Sequence, residues 1–234
     1  MKDIPQVDMR SRPASNGVEI IPTVVPLSFE DVVGARKRYG AFAPSLHVDA
    51  SDGIFASNKT WLPLSGEKFP DAQTIHYEAH LMVDNPLSIG VSFARAGATR
   101  IIGHIEAFNN AENAQEAFDM WTRAGATEVG VAILLDTPLD DLAPYVQLCD
   151  FVHMMTIAKI GRQGIRFEEA AIQRVHDVHE RYPHITISTD GGEKEDNIER
   201  LARAGATRFC VGSALMKAKD PQKTYSQLIS AVTT

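Results

Sequence analysis

The chemistry-bearing residues of this chain fall at regular places. In the apolar run SLHVDAS (45–51), His47 and Asp49 are one residue apart. An extended chain alternates its side chains, so an imidazole and a carboxylate leave one face while Val48 leaves the other. His80 lies in the next such run, YEAHLMV (77–83), and Asp190 ends TISTDGG (186–192). Two imidazoles and two carboxylates suit a divalent ion, with Zn, Mn and Fe all compatible, and donor type does not choose among them. Each element alone has a plainer reading: a His–Asp hydrogen bond within a core, a packed strand His, an Asp that opens a turn. Glycine supplies a second chemistry. Gly191-Gly192 and Gly212-Ser213 follow two successive apolar runs. Backbone N–H groups at such turns, beside helix N-termini, can hold an anion without lysine.

Something must bring these residues together, and the patterning says what. Eight short apolar runs recur: VEIIPTVV (18–25), SLHVDAS (45–51), YEAHLMV (77–83), RIIGHIEA (100–107), EVGVAIL (128–134), FVHMMTI (151–157), TISTDGG (186–192) and RFCVGSA (208–214). Most are nearly continuous in apolar residues, as parallel strands buried on both faces are. Helical spacing separates several of them, over Asn110–Arg123, Phe167–Tyr182 and Asn197–Ala204. RAGATR (95–100), RAGATE (123–128) and RAGATR (203–208) each end a helix and enter a strand, with Gly97, Gly125 and Gly205 at the position that wants a positive φ. Their spacings of 28 and 80 residues are close to one and three βα units of about 29 residues. The expected fold is α/β, a single (β/α)₈ TIM barrel of a phosphate-binding type, over 18–234, after a polar leader at 1–17. In such barrels the strand C-terminal ends carry the active site, and His47, Asp49, His80 and Asp190 are all expected toward those ends.

Composition narrows the class. The chain has 234 residues, 44% hydrophobic and 23% charged, with a formal charge of −7. This balance is that of a globular domain. No Lys/Arg-rich run gives a nucleic-acid footprint, and no apolar stretch is long enough for a bilayer. Cys149 and Cys210 lie in separate apolar segments and are expected as buried free thiols of a cytoplasmic protein.

Several segments resemble one family. HVDASDGIFASN (47–58) is similar to the signature of the ribulose-phosphate 3-epimerases, His-x-Asp followed by Asp-Gly-x-Phe and Asn. HLMVDNP (80–86), GHIEA (103–107) and TDGGEKEDNIERLARAGATRFCVGSALMKAKDP (189–221) resemble segments that follow in those enzymes. The resemblance runs from about residue 18 to 221; its last part recurs in many phosphate-binding barrels, so the two N-terminal motifs carry the specificity. It implies one divalent metal ion held by His47, Asp49, His80 and Asp190, with Asp49 and Asp190 also serving as acid and base. Epimerisation beside a ketone takes a carbon-bound proton from one face and returns one to the other, which needs two proton carriers. Thr23, Met82, Gly161, Gln163, Gly191, Gly192, Gly212 and Ser213 are implied to surround the substrate and its phosphate. The implied reaction is inversion at C3 of a ketose phosphate, D-ribulose 5-phosphate to D-xylulose 5-phosphate, in a cytoplasmic homo-oligomer without nucleic-acid or membrane partners.

The match has gaps. MTIAKIGRQG (155–164) stands where a Pro-Gly-Phe-Gly-Gly-Gln lid is expected, and brings Lys159 and Arg162. Ser51 replaces a methionine, Pro22-Thr23 replaces Pro-Ser, and LLDTP (134–138) lacks an Asn-Pro. These changes leave open another ketose phosphate, such as a hexulose 6-phosphate, or a sugar-phosphate-binding barrel without catalysis. No strand-end lysine points to the related decarboxylases and aldolases.

Overall fold

The computed structural model describes residues 17–162 and 164–233. Each of the eight expected runs corresponds to one strand, β3 starting one residue early: β1 (Glu19–Val24), β2 (Ser45–Ser51), β3 (His76–Met82), β4 (Arg100–His104), β5 (Glu128–Ile133), β6 (Phe151–Met155), β7 (Thr186–Asp190) and β8 (Arg208–Val211). They pair in chain order as a closed barrel, and β1 returns to β8 in parallel. Closure satisfies both edges of the sheet, the reason so many short strands coexist in a chain of this length.

Helices α1 (Phe29–Tyr39), α2 (Pro86–Ala96), α3 (Ala111–Ala124), α4 (Ala170–Arg181), α5 (Glu195–Arg203), α6 (Ser213–Met216) and α7 (Pro221–Thr233) surround the strands. The three helices expected from spacing correspond to α3, α4 and α5. The repeat departs from one helix per strand at three places, one of them the pair α6 and α7 after β8. No helix lies between β2 and β3, where a long loop runs, and a short 3₁₀ turn, Leu139–Leu142, stands between β5 and β6.

The main core lies between strands and helices, where Val32, Phe93, Trp121, Val175 and Leu201 are fully buried against outward strand residues such as Leu81 and Val131. Burying one such side chain contributes about 1.5–3 kcal/mol. The RAGAT turns behave as expected, with φ of 111° at Gly97, 128° at Gly125 and 113° at Gly205. A Cβ at Gly205 would lie 2.4 Å from His179, so that turn also needs the missing side chain for space.

The barrel interior is unusually polar. A small apolar cluster of Ile102, Ala132 and Phe151 lies within it. At its N-terminal end Arg100 pairs with Glu19 (2.9 Å), Glu128 (3.3 Å) and Glu78 (3.5 Å). Arg208 pairs with Glu128 at 2.7 Å, and Ser45 donates to Glu19. Strand register sets the level of the residues above this network: His47 lies opposite Glu78, Asp49 opposite His80, Ser51 opposite Met82, and Met155 opposite Asp190. No helix among the described residues is long and apolar enough to cross a membrane. Both cysteines are free thiols, as expected, with Cys210 buried and Cys149 partly so.

Candidate functional site

His47, His80 and Asp190 meet inside the barrel, and the structure adds a fourth residue, His153 of β6. One donor atom from each lies within 4.8 Å of the others. Asp49 stands beside them: its Oδ1 is 3.2 Å from His47 Nε2 and 3.1 Å from His80 Nδ1. All three imidazoles are completely buried.

Protons can be assigned from the outside inward. His47 Nδ1 lies 2.6 Å from Glu78 Oε1, and a carboxylate only accepts, so Nδ1 carries the hydrogen and Nε2 faces Asp49. His104 Nδ1 lies 3.3 Å from Glu106 Oε2 and donates to it. Burial pushes His104 down to about 4, with His80 and His153 adding to the fall despite Glu106, so its ring is neutral. Its Nε2 is therefore an acceptor for His80 Nε2–H at 2.8 Å. That leaves His80 Nδ1 as a lone pair facing Asp49 Oδ1 at 3.1 Å and Asp190 Oδ2 at 3.6 Å. A lone pair opposite two carboxylates is balanced only by a proton or a cation between them.

The titration behaviour has the same cause. Burial opposes charge on Asp49, but with a proton on that His80 nitrogen, hydrogen bonds from His47 and His80 hold Asp49 well below the usual carboxylate range. Burial likewise opposes charge on His47, yet Cys210, Asp49 and Glu78 raise it well above the usual imidazole range. Glu78 is lowered against burial by His47 and Arg100. The site thus gathers negative charge around imidazole nitrogens. Buried nitrogen donors, each ring held by an outer partner, together with these carboxylate oxygens fit a divalent ion of the Zn or Fe type.

Over this cluster lies a small pocket of about 40 Å³. Thr23, Asp49, Met82, Gly161, Asp190, Gly191, Gly192, Gly212 and Ser213 all line it. Gln163 lies outside the described residues. The loop after β6 folds against the loop after β2: a Cβ at Gly161 would lie 2.1 Å from Asn58 Oδ1. Phe55, from that same β2 loop, packs its ring 4.9 Å from His104. Ser51 Oγ donates to Asn58 O at 2.6 Å, so the hydroxyl that stands in place of a methionine fastens the loop. Arg162 lines the pocket and supplies a cation near Gly191, Gly192 and Ser213.

At the Gly-Gly turn φ is +127° for Gly191 and +74° for Gly192, and a Cβ on Gly192 would lie 2.8 Å from the Phe167 backbone nitrogen. Gly191 N–H donates to Glu193 Oε2 at 2.6 Å. Glu193, two residues beyond Gly191, is 3% exposed. Burial, then the charge of Asp190, pushes its pKa up to about 8.

Four functional candidates escaped the sequence reading: Glu78, His104, His153 and Glu193. Parity could have flagged two of them, since Glu78 lies two residues before His80 and His104 ends its strand within GHIEA.

The family model described as Ribulose-phosphate 3 epimerase family matches residues 19–216. A ribulose-phosphate 3-epimerase of Mycobacterium leprae is 33% identical over 219 residues, covering 91% of this chain and 94% of that protein. The cytoplasmic isoform of ribulose-phosphate 3-epimerase from Oryza sativa subsp. japonica is 27% identical over 222 residues, covering 94% and 96%. Among solved structures, 3-hexulose-6-phosphate synthase from Salmonella typhimurium superposes with a TM-score of 0.67 at 13% identity, over 92% of this chain and 99% of that one, a likeness of fold alone.

Proposed function

The chain belongs to the ribulose-phosphate 3-epimerase family, and on that premise we propose that it inverts C3 of D-ribulose 5-phosphate, giving D-xylulose 5-phosphate, with the help of one divalent metal ion. One observation carries the reading. Asp49 and Asp190 line the same pocket, from strands three places apart around the barrel, above imidazoles whose outer nitrogens are tied away from the site.

Each carboxylate takes one face of the substrate carbon. One accepts the C3 proton, and the other returns a proton from the opposite side. Asp49 enters the step as a carboxylate, because His47 and His80 favour its ionised form. A C3 proton is far less acidic than a carboxylic acid, so transfer needs the charge that develops on the substrate oxygens to be stabilised. When bound by His47, Asp49, His80 and Asp190, a divalent ion supplies that stabilisation. The dry surroundings of the three buried rings strengthen it.

The phosphate is held at the turns of Gly191-Gly192 and Gly212-Ser213, where glycine lets the backbone approach an anion and Arg162 adds positive charge. Glu193 next to this turn is compatible with a phosphate while it keeps its proton. Thr23, Met82 and Gly161 wall the sugar, and Gln163 is two positions after Gly161 in the sequence. We assign the protein to the cytoplasm, as the name of the rice relative does for that protein, and expect it to act as a homo-oligomer.

Turnover decides the matter. Metal-loaded protein given D-ribulose 5-phosphate should form D-xylulose 5-phosphate, detected by a coupled transketolase assay. Absence of product with Zn, Mn and Fe each supplied, in protein that binds the sugar phosphate, would favour the non-catalytic binder.

A further inference from the structure

His153 has no task in the reaction as described. It is the middle of β6, between Val152 and Met154, and is completely buried. A buried imidazole is costly unless both nitrogens are partnered. Its Nδ1 lies 3.0 Å from Oγ of Ser188, its register partner on β7. Its Nε2 has no hydrogen-bond partner among the described residues and lies 3.8 Å from Asp190 Oδ2, beyond hydrogen-bond reach. The ring stacks on His47 at 5.4 Å and meets His80 edge-on at 4.7 Å. It is one of the four residues whose donor atoms lie within 4.8 Å of one another.

We propose that His153 is itself a metal ligand through Nε2, so that the ion of this chain is held by three imidazoles together with its carboxylates. The inference rests on the metal-assisted reading above. With Ser188 Oγ accepting from Nδ1–H, Nε2 is left as a lone pair directed at Asp190. His47 with Glu78, and His80 with His104, show the same pattern of a hydrogen tied outward and a nitrogen turned inward, the usual way a protein orients a ligating imidazole. A packed core histidine would instead spend Nε2 on a carbonyl or hydroxyl, and none among the described residues bonds to it. A third imidazole also shifts the donor set toward Zn, Fe, Co and Ni and away from Mn and Mg, which prefer oxygen.

The test uses Co²⁺ alone, titrated into metal-stripped wild type, His153→Leu and His80→Ala, with visible absorption reporting coordination and a competing chelator reporting affinity. Wild type is expected to bind, and His153→Leu to bind at least about 10-fold more weakly with a changed spectrum. The same variant should lose less affinity for Mn²⁺ than for Co²⁺. If His153→Leu keeps both affinity and spectrum while His80→Ala loses the ion, His153 is not a ligand and the metal-assisted reading stands. If wild type binds no ion, both fall. A second measurement avoids a buried substitution: in ¹⁵N-histidine wild type, Zn²⁺ should move the Nε2 resonance of His153, assigned through its own ring and backbone couplings. An unmoved resonance in the zinc-loaded protein overturns the proposal.

Discussion

Glu78 Oε1 lies 2.6 Å from His47 Nδ1, on the residue directly opposite it in the β2–β3 register. This contact joins the two ends of the barrel. Below, Arg100 approaches the other Glu78 oxygen at 3.5 Å; above, His47 Nε2 reaches Asp49 at 3.2 Å. Glu78 therefore sets both the tautomer and the charge of the imidazole beside the proton carrier.

Glu78→Gln should leave the barrel folded, since the amide keeps the volume and can accept from Nδ1–H. It removes the negative charge that makes His47 a stronger donor. Metal affinity, measured by competition with a chelator, should fall about 10–100-fold, as for loss of an outer-shell carboxylate. Unchanged affinity would mean that Glu78 serves only the network beneath it.

Arg100→Met tests that network. Arg100 is flanked by Glu19, Glu78 and Glu128, so its removal leaves buried negative charge without its counterion. The expected loss is about 3–5 kcal/mol in urea unfolding. A variant as stable as wild type would show that the carboxylates simply take up protons or water.

Glu193 predicts a pH dependence. Thr156 Oγ1 has one hydrogen, which fits its 2.5 Å bond to Gly191 O, so the 3.0 Å contact with Glu193 Oε1 is best made by a proton on Glu193. That agrees with a pKa raised to about 8 from 4.5. Between these values the unfolded chain releases the proton and the folded one keeps it. Stability from this group is thus complete below the unfolded value and is lost as pH rises toward about 8, by at most about 1.4 kcal/mol per pH unit. Glu193→Gln can donate to Thr156 and accept from Gly191 at any pH. Urea midpoints of the two proteins should run together near pH 4.5 and separate toward pH 8, with the Gln variant the more stable. Parallel curves across that range would show that Glu193 is ionised in the fold.

Gly192→Ala probes the proposed phosphate turn. Its φ of +74° and the 2.8 Å approach to the Phe167 backbone nitrogen leave no room for a methyl. The strained backbone should cost about 1–3 kcal/mol. More tellingly, inorganic phosphate should raise the Tm of wild type and not that of the variant. An equal rise in both would put the anion elsewhere.

The fold was legible because its signals are repeated: eight apolar runs, and three RAGAT turns that demand a positive φ, agree on one architecture. His47, His80 and Asp190 were legible because strand alternation and strand ends place side chains without knowledge of packing. His153 was not, since an isolated histidine in FVHMMTI looks like any core residue until the rings beside it are seen. Glu193 was hidden for the opposite reason: TDGGEK has the composition of a solvated turn, and only the folding of that turn over Thr156 buries the acid. The loop from 52 to 75 likewise carries motif residues but no periodicity, so its packing of Phe55 on His104 comes from tertiary contact alone.

The two-carboxylate claim is tested most directly by proton NMR in D₂O, following the C3 hydrogen of D-ribulose 5-phosphate with metal-loaded wild type, Asp49→Asn and Asp190→Asn. Asparagine keeps the shape and one oxygen but accepts no proton at neutral pH. Wild type should exchange the hydrogen and form D-xylulose 5-phosphate. Each variant should lose net inversion by about 10²–10⁴-fold, and the one that retains the proton-abstracting carboxylate should still exchange C3 hydrogen with solvent without inverting it. Inversion at near wild-type rates in both variants would contradict the account.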